Sequence, residues 1–437
     1  FSSGLQRLED LSLARASKIE FGAVEFEVSQ PIDKSHFSNW VGVAGTNVDP
    51  GKGTVIQNKQ NGRLLDFVAG LTLPNSTGIE GIVFREEDPV NRPNAQCIVF
   101  TGTPRRSYFR DIFISGFRTA IAGPNGTMYC ERVFVTNHRY GFLQIGSSDS
   151  WYSYCHAGSG LTPTHPDADG GAGFYFDRGA NLTFDHCRGQ VQVGGFGFEI
   201  KNTTELTINS PIADQNEAGG FKLTHVSDCD ITNQRTFDNG KVGDLNPAIV
   251  IEANGYPCSF DNTNNTLNFP VVPDFTEERT FVEFTTTGTL PPEISEGVEY
   301  LLIKVTDQQF RVAETRQDVL DGNFIVLTGD GSGTMTCHGI TKDIRITGGA
   351  ILDRGQDKQG SAIRFVKNGG GKIKNITLSG VDISKLQSRF IGVSNVDEGL
   401  KVIDCNGFPL VTRIPSSNTT LRIGSVAQKI LVSNPLT

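Results

Sequence analysis

Three aspartates stand at nearly one offset from an apolar residue. Asp214 lies six positions after Ile208, Asp238 seven after Ile231, and Asp353 seven after Ile346. If those isoleucines mark equivalent places in stacked strands, the carboxylates fall on neighbouring coils about 4.8 Å apart. Two carboxyls that close do not both ionise freely, so one stays protonated as a general acid while the other serves as base or nucleophile. That division of labour breaks glycosidic bonds. Gln190, one coil earlier in the column, offers a neutral amide for a sugar hydroxyl. The competing reading is that such Asp and Asn residues close turns by bonding the backbone, as expected for Asn137 in TNHRYGF.

A second set lies on the first strand of each repeat. Tyr175, Glu199 and Lys222 share one outward column, and Asp177, Lys201, Thr224 and Glu252 share the next. Alternating carboxylate and Lys can bind and cleave an acidic sugar, although many such ladders are solvated ion pairs worth a fraction of a kcal/mol. His225 follows Thr224 and is a candidate base. Trp151, Tyr152, Tyr154 and Tyr175 cluster nearby; outward members can stack on sugar faces, and Tyr152 is expected to point inward. The loop HAGSGLTPTHPDADGG (156–171) carries His156, His165, Asp167 and Asp169. Their spacing is too irregular for a metal, so no metal or cofactor is expected and the loop reads as a groove wall.

What must position these groups is a repeat that restarts on a small residue followed by a large apolar one. Gly141-Phe142, Gly173-Phe174, Gly197-Phe198, Gly220-Phe221 and Ala248-Ile249 are spaced by 32, 24, 23 and 28 residues, and Ala362-Ile363 follows later. Those intervals suit one coil of a parallel β-helix. Aligned on the restarts, Phe174, Phe198 and Phe221 form one inward column, Leu182, Leu206 and Cys229 a second, and Phe184, Ile208 and Ile231 a third. The fold class expected is all-β: a right-handed parallel β-helix with a small inserted β domain and a short N-terminal helix.

The regions divide accordingly. Residues 1–18 hold a short amphipathic helix with Leu5, Leu8 and Leu11 at helical spacing. Residues 19–95 show no clear period and are expected to cap the solenoid. Coils occupy 96–258 and resume over 338–405. Between them, 259–337 reads as hairpin strands of an inserted β domain. Residues 406–437 are terminal coils or a cap.

Composition narrows the function classes. Fifty Gly and 29 Phe in 437 residues describe a turn-rich, strand-rich chain. A formal charge of −9 without a basic stripe argues against nucleic acid. No apolar run reaches membrane-span length, so a soluble protein without membrane insertion is expected. The eight Cys are scattered about one per coil and read as reduced, buried residues; Cys155 and Cys187 are placed to stack, with a disulfide between them as the other possibility.

The coils over 96–260 and 338–405 resemble the pectate-lyase-like right-handed β-helix. The segment FTTTGTLPPEISEGVEYLLIKVTDQQFRVAE followed by LTGDGSGTMT is similar to a small β module that recurs in phage tail fibres and tailspikes, and the whole chain resembles a bacteriophage tailspike with capsular or exopolysaccharide depolymerase activity. That resemblance implies a homotrimer on a virion tail, acting extracellularly on a bacterial surface polysaccharide, with sites in a subunit groove or between subunits. An obvious virion-attachment domain is missing from the pattern. On this reading Asp214, Asp238 and Asp353 are catalytic, and Glu199, Glu252, Asp177, Tyr175, Trp151, His225 and Gln190 bind substrate in an endo-acting glycoside hydrolase. A polysaccharide lyase of the same fold and a non-catalytic receptor-binding spike remain the alternatives.

Overall fold

The computed structural model describes residue 6 and residues 18–33, 39–43, 53–67, 77–101, 106–124, 126–158, 170–240, 246–352, 359–383, 396–406 and 420–422. The chain winds as a right-handed parallel β-helix. A representative coil has three strands: Ala172–Asp177 on a first face, Ala180–Asp185 on a second and Arg188–Gln190 on a third. The next coil repeats them as Phe196–Lys201, Thr204–Asn209 and Ile212–Asp214, each pairing in parallel with its counterpart. The inward columns named above fall on the first two of these strands. The third strand is only three residues long, too short to show a period.

The inward columns are the ones the restarts predict. Phe142, Phe174, Phe198 and Phe221 stack ring on ring, with centroids 4.8, 4.7 and 4.8 Å apart and planes within 7° of parallel. Tyr152 and Phe184 stack likewise at 5.0 Å on the second face. Such stacking follows from parallel, in-register strands, which place identical positions one strand spacing apart. Corners are tight because one residue per corner adopts the left-handed conformation. Asn202 and His225 do so between the first and second faces, and His186, Ser210 and Asn233 between the second and third.

Within 19–95, expected as a cap, the described strands pair as coils. Glu25–Val28 pairs in parallel with Thr54–Asn58, which pairs with Ile82–Arg85, and Arg63–Phe67 pairs with Gln96–Phe100. The intervals between these short strands vary, which hides their period in the sequence. Of residues 1–18, where the helix is expected, only Gln6 and Lys18 are described; the Gln6 side chain exchanges two hydrogen bonds with the Asp33 backbone, and Lys18 begins a strand. The 406–437 tail is described only at Asn406 and at Thr420–Arg422, which pairs in parallel with Lys401–Ile403. All eight cysteines are free thiols; those of Cys155 and Cys187 lie near the backbone carbonyls of Cys130 and Tyr152 at 3.4 and 3.3 Å, and no disulfide joins them.

The long strand Asn246–Asp261 begins in the first face and leaves the coil at Gly255, where its pairing becomes antiparallel to Met335–His338. The unit that follows has its own core, including Phe260, Leu267, Phe284, Leu302 and Phe310. Its only helix among the described residues, Arg316–Asp321, is capped by Thr315 and ends at left-handed Gly322. The unit packs back onto the coils: Asn202 bonds the Asp274 carbonyl and Thr280, at 3.0 and 2.8 Å. Further along, Glu283 receives Lys372 at 2.7 Å and also Lys374. The chain re-enters the second face through Lys342 and Ile344.

Candidate functional site

Asp214 and Asp238, predicted to share a column, do not. In the register, Asp214 is opposite Phe237, which is opposite Leu352, while Asp238 follows one residue later. A slip of one residue turns a strand side chain to the other face. Asp214 is 5% exposed and bonded to Arg188 at 2.8 Å. Asp238 is fully buried, left-handed at φ 46°, and its N–H donates to the Leu352 carbonyl at 3.1 Å. Beside it runs a buried amide ladder: the Gln192 N–H donates to Asn216 Oδ1 and the Asn216 N–H to Asn239 Oδ1, both at 3.1 Å. This corner closes turns, which is the competing role foreseen for such residues. Gln190 does share Asp214's column, and its Oε1 lies 3.2 Å from His156 Nε2. Burial, helped by the Arg188 charge, pushes His156 down to about 4. Asp353, His165, Asp167 and Asp169 lie outside the described residues.

The first-face ladder is satisfied within itself. Lys201 pairs with Glu199 and Lys222 with Glu252, each at 2.9 Å, and the Lys201 ammonium sits 5.3 Å from the Tyr175 ring centre. Burial opposes charge on Lys201, but Glu199 outweighs it and raises its pKa. Glu252 also accepts from Asn368, and Asp177 accepts from Asn202. His225, expected as a base on this face, is corrected to a structural joint. It is 1% exposed, its Nε2 accepts the Asn254 N–H at 2.9 Å, and Phe275 of the inserted unit packs on it. Burial holds it below the usual imidazole value.

Trp151 belongs to the second face, and that face carries the groove. Asp228, Asp230, Asp343, Arg345, Asn375 and Lys401 are among the residues around a cavity of about 530 Å³. Asp228 and Asp343 occupy one register position on adjacent coils, both left-handed at φ 52° and 55°. Burial first, then the Asp343 charge, raises the Asp228 carboxyl above its ordinary value. Asp343 accepts the Asn375 Nδ2–H at 3.0 Å. Two residues on, Arg345 grips Asp230 with both ends of its guanidinium, at 2.5 and 2.7 Å. The inserted unit borders this side: Arg316 reaches Glu205, one coil before Asp228, at 3.7 Å.

No family model matches the sequence, and no curated protein matches it. Solved structures do match. The catalytic domain of Agl-KA aligns over 97% of this chain at 10% identity with a TM-score of 0.50, and this chain spans 65% of that one. A surface adhesin of Streptococcus pneumoniae aligns over 97% of this chain and 87% of its own at 8% identity and TM-score 0.46. An endo-xylogalacturonan hydrolase from Aspergillus tubingensis aligns over 96% of both chains at 9% identity and TM-score 0.41. The likeness is one of fold. A fold does not fix chemistry, which has to be read from this chain's own side chains.

A sequence signal for the acid pair exists. SDCDIT (227–232) and KDIRIT (342–347) align on Ile231 and Ile346, the same residues used for the aspartate column. Counting back from them, instead of forward, places Asp228 beside Asp343 at three positions and Asp230 beside Arg345 at one.

Proposed function

We propose that this chain is a glycan-cleaving protein, an endo-acting glycoside hydrolase whose acid pair is Asp228 and Asp343. The observation that carries the reading is that pair: two carboxyls at one register on adjacent strands, lining an open cavity, with the Asp228 carboxyl raised above its ordinary value. Adjacent strands lie about 4.8 Å apart, near the roughly 5 Å separation of carboxyls in retaining enzymes. Asp228 gives its proton to the glycosidic oxygen as the bond to C1 breaks. Asp343 bonds to C1, and Asp228 then takes a proton from the water that hydrolyses the glycosyl ester. Both carboxyls return to their starting states. Asp214 in its ion pair and Asp238 in its turn are less suited to this work.

The tailspike-like inserted segment and the β-helix support a bacterial capsular or exopolysaccharide as substrate, a homotrimeric assembly and a place on a virion tail. The test is release of reducing ends from capsule of a susceptible strain, with Asp228→Asn and Asp343→Asn each expected to lose about 10²-fold or more. If both variants retain full cleavage, the assignment is wrong. A second reading, a polysaccharide lyase, draws on Arg345 and Lys401 in the same groove, where cations can neutralise a uronate carboxylate. Near-ultraviolet absorbance from unsaturated product ends would select it.

A further inference from the structure

The second face carries a feature that the acid pair does not use. Tyr108, Tyr129 and Trp151 occupy one outward column on three consecutive coils. Tyr129 and Trp151 are 38% and 51% exposed. Together with Cys130, Glu131 and Ser153 they line a cavity of about 250 Å³. Large rings left in water on successive strands forgo the burial that normally dominates their energetics, which marks them as surface kept for a ligand.

Two observations say what ligand. The column itself continues from Trp151 through Thr183 and Thr207 to Asp230, which lines the acidic groove. Those three strand steps amount to roughly 14 Å, the reach of a short oligosaccharide. The rings are also framed by charge. Arg110 pairs with Glu80 at 2.5 Å and lies 5.4 Å from the Tyr108 ring centre, and Arg132 pairs with Asp111 at 2.6 Å and with Glu131. A pyranose matches such a surface, with an apolar C–H face for the ring and polar edges for the frame.

We propose that Tyr108, Tyr129 and Trp151 form a stacking platform for the same polysaccharide that the acid pair cleaves, so that the glycan runs along the solenoid axis on the second face. This rests on the glycan-cleaving reading of the groove. The test uses affinity electrophoresis in gels cast with alginate, xanthan, dextran or polygalacturonate, with Asp228→Asn as a non-cleaving background. Asp228→Asn is expected to be retarded in at least one gel. Adding Trp151→Ala weakens that retardation about tenfold, and adding Trp151→Phe restores part of it. Equal retardation with and without Trp151→Ala, or no retardation in any of the four gels, overturns the platform.

Failure of the cleavage reading shows separately. Trp151-dependent retardation by a wild-type chain that releases no reducing ends upholds the platform and removes the hydrolase. If Trp151→Ala instead turns a sedimenting oligomer into a monomer, the column is a contact between copies and the platform is overturned. Trp151 is half exposed, so its variants should melt as the parent does, which far-ultraviolet circular dichroism checks.

Discussion

Asp228 and Asp343 stand 115 residues apart in the chain and one strand apart in space, both held left-handed at the same position of the second-face strand on adjacent coils. The inserted β unit lies between them in sequence and beside them in the fold. Solenoid stacking keeps the two strands in register across the interruption, because only neighbouring coils need to pair.

That pairing predicts a pH dependence. Burial and the Asp343 charge raise the Asp228 carboxyl, and a general acid works only while protonated. Activity should therefore fall as pH rises through a value above the ordinary carboxylate of about 3.9. Replacing Asp343 with Asn removes the like charge and should lower the Asp228 midpoint in a carboxyl-carbon NMR titration. An unchanged midpoint would show that the two groups do not interact.

Docking of the inserted unit depends on Glu283. Its side chain is 1% exposed and receives Lys372 at 2.7 Å together with Lys374. Burial opposes its charge, but the two lysines prevail and lower its pKa. Its stabilising share is present above the unfolded value of about 4.3 and is lost as pH falls through the lower folded value. Glu283→Gln leaves two amines without their carboxylate and should cost about 3–5 kcal/mol in urea unfolding, with faster proteolysis in the unit near 255–339. Unaltered stability and cleavage rate would count against the anchor.

The ring column gives a plain packing prediction. Phe198 is fully buried, 4.7 Å from Phe174 and 4.8 Å from Phe221 between ring centres. Phe198→Ala should cost about 3–5 kcal/mol, through lost transfer energy and a cavity that rigid neighbouring coils do not fill. Phe198→Leu should recover most of it. A cost below about 1 kcal/mol for Phe198→Ala would mean that the coils collapse onto the gap.

Sequence alone determined the coil, because a parallel solenoid repeats its inward positions and each column is written in residue type: Phe174, Phe198 and Phe221, then Leu182, Leu206 and Cys229. It also located the charged ladder of Glu199, Lys201, Lys222 and Glu252, since alternation on one strand is local. The coils within 19–95 stayed hidden because the intervals between their strands vary, and the three-residue third strand because it is shorter than any period.

Only the tertiary structure decided which carboxylates meet. A column argument tolerates one residue of error in a turn, but a strand does not, and that single step separates Asp214 from Asp238. It also decided exposure. Asp238 and His225 are polar residues of the kind used in catalysis, yet packing buries one in a turn and the other beneath Phe275. Asp228, Asp343 and Trp151 remain at the surface because the second face turns them outward, and outwardness depends on the register between coils rather than on residue type.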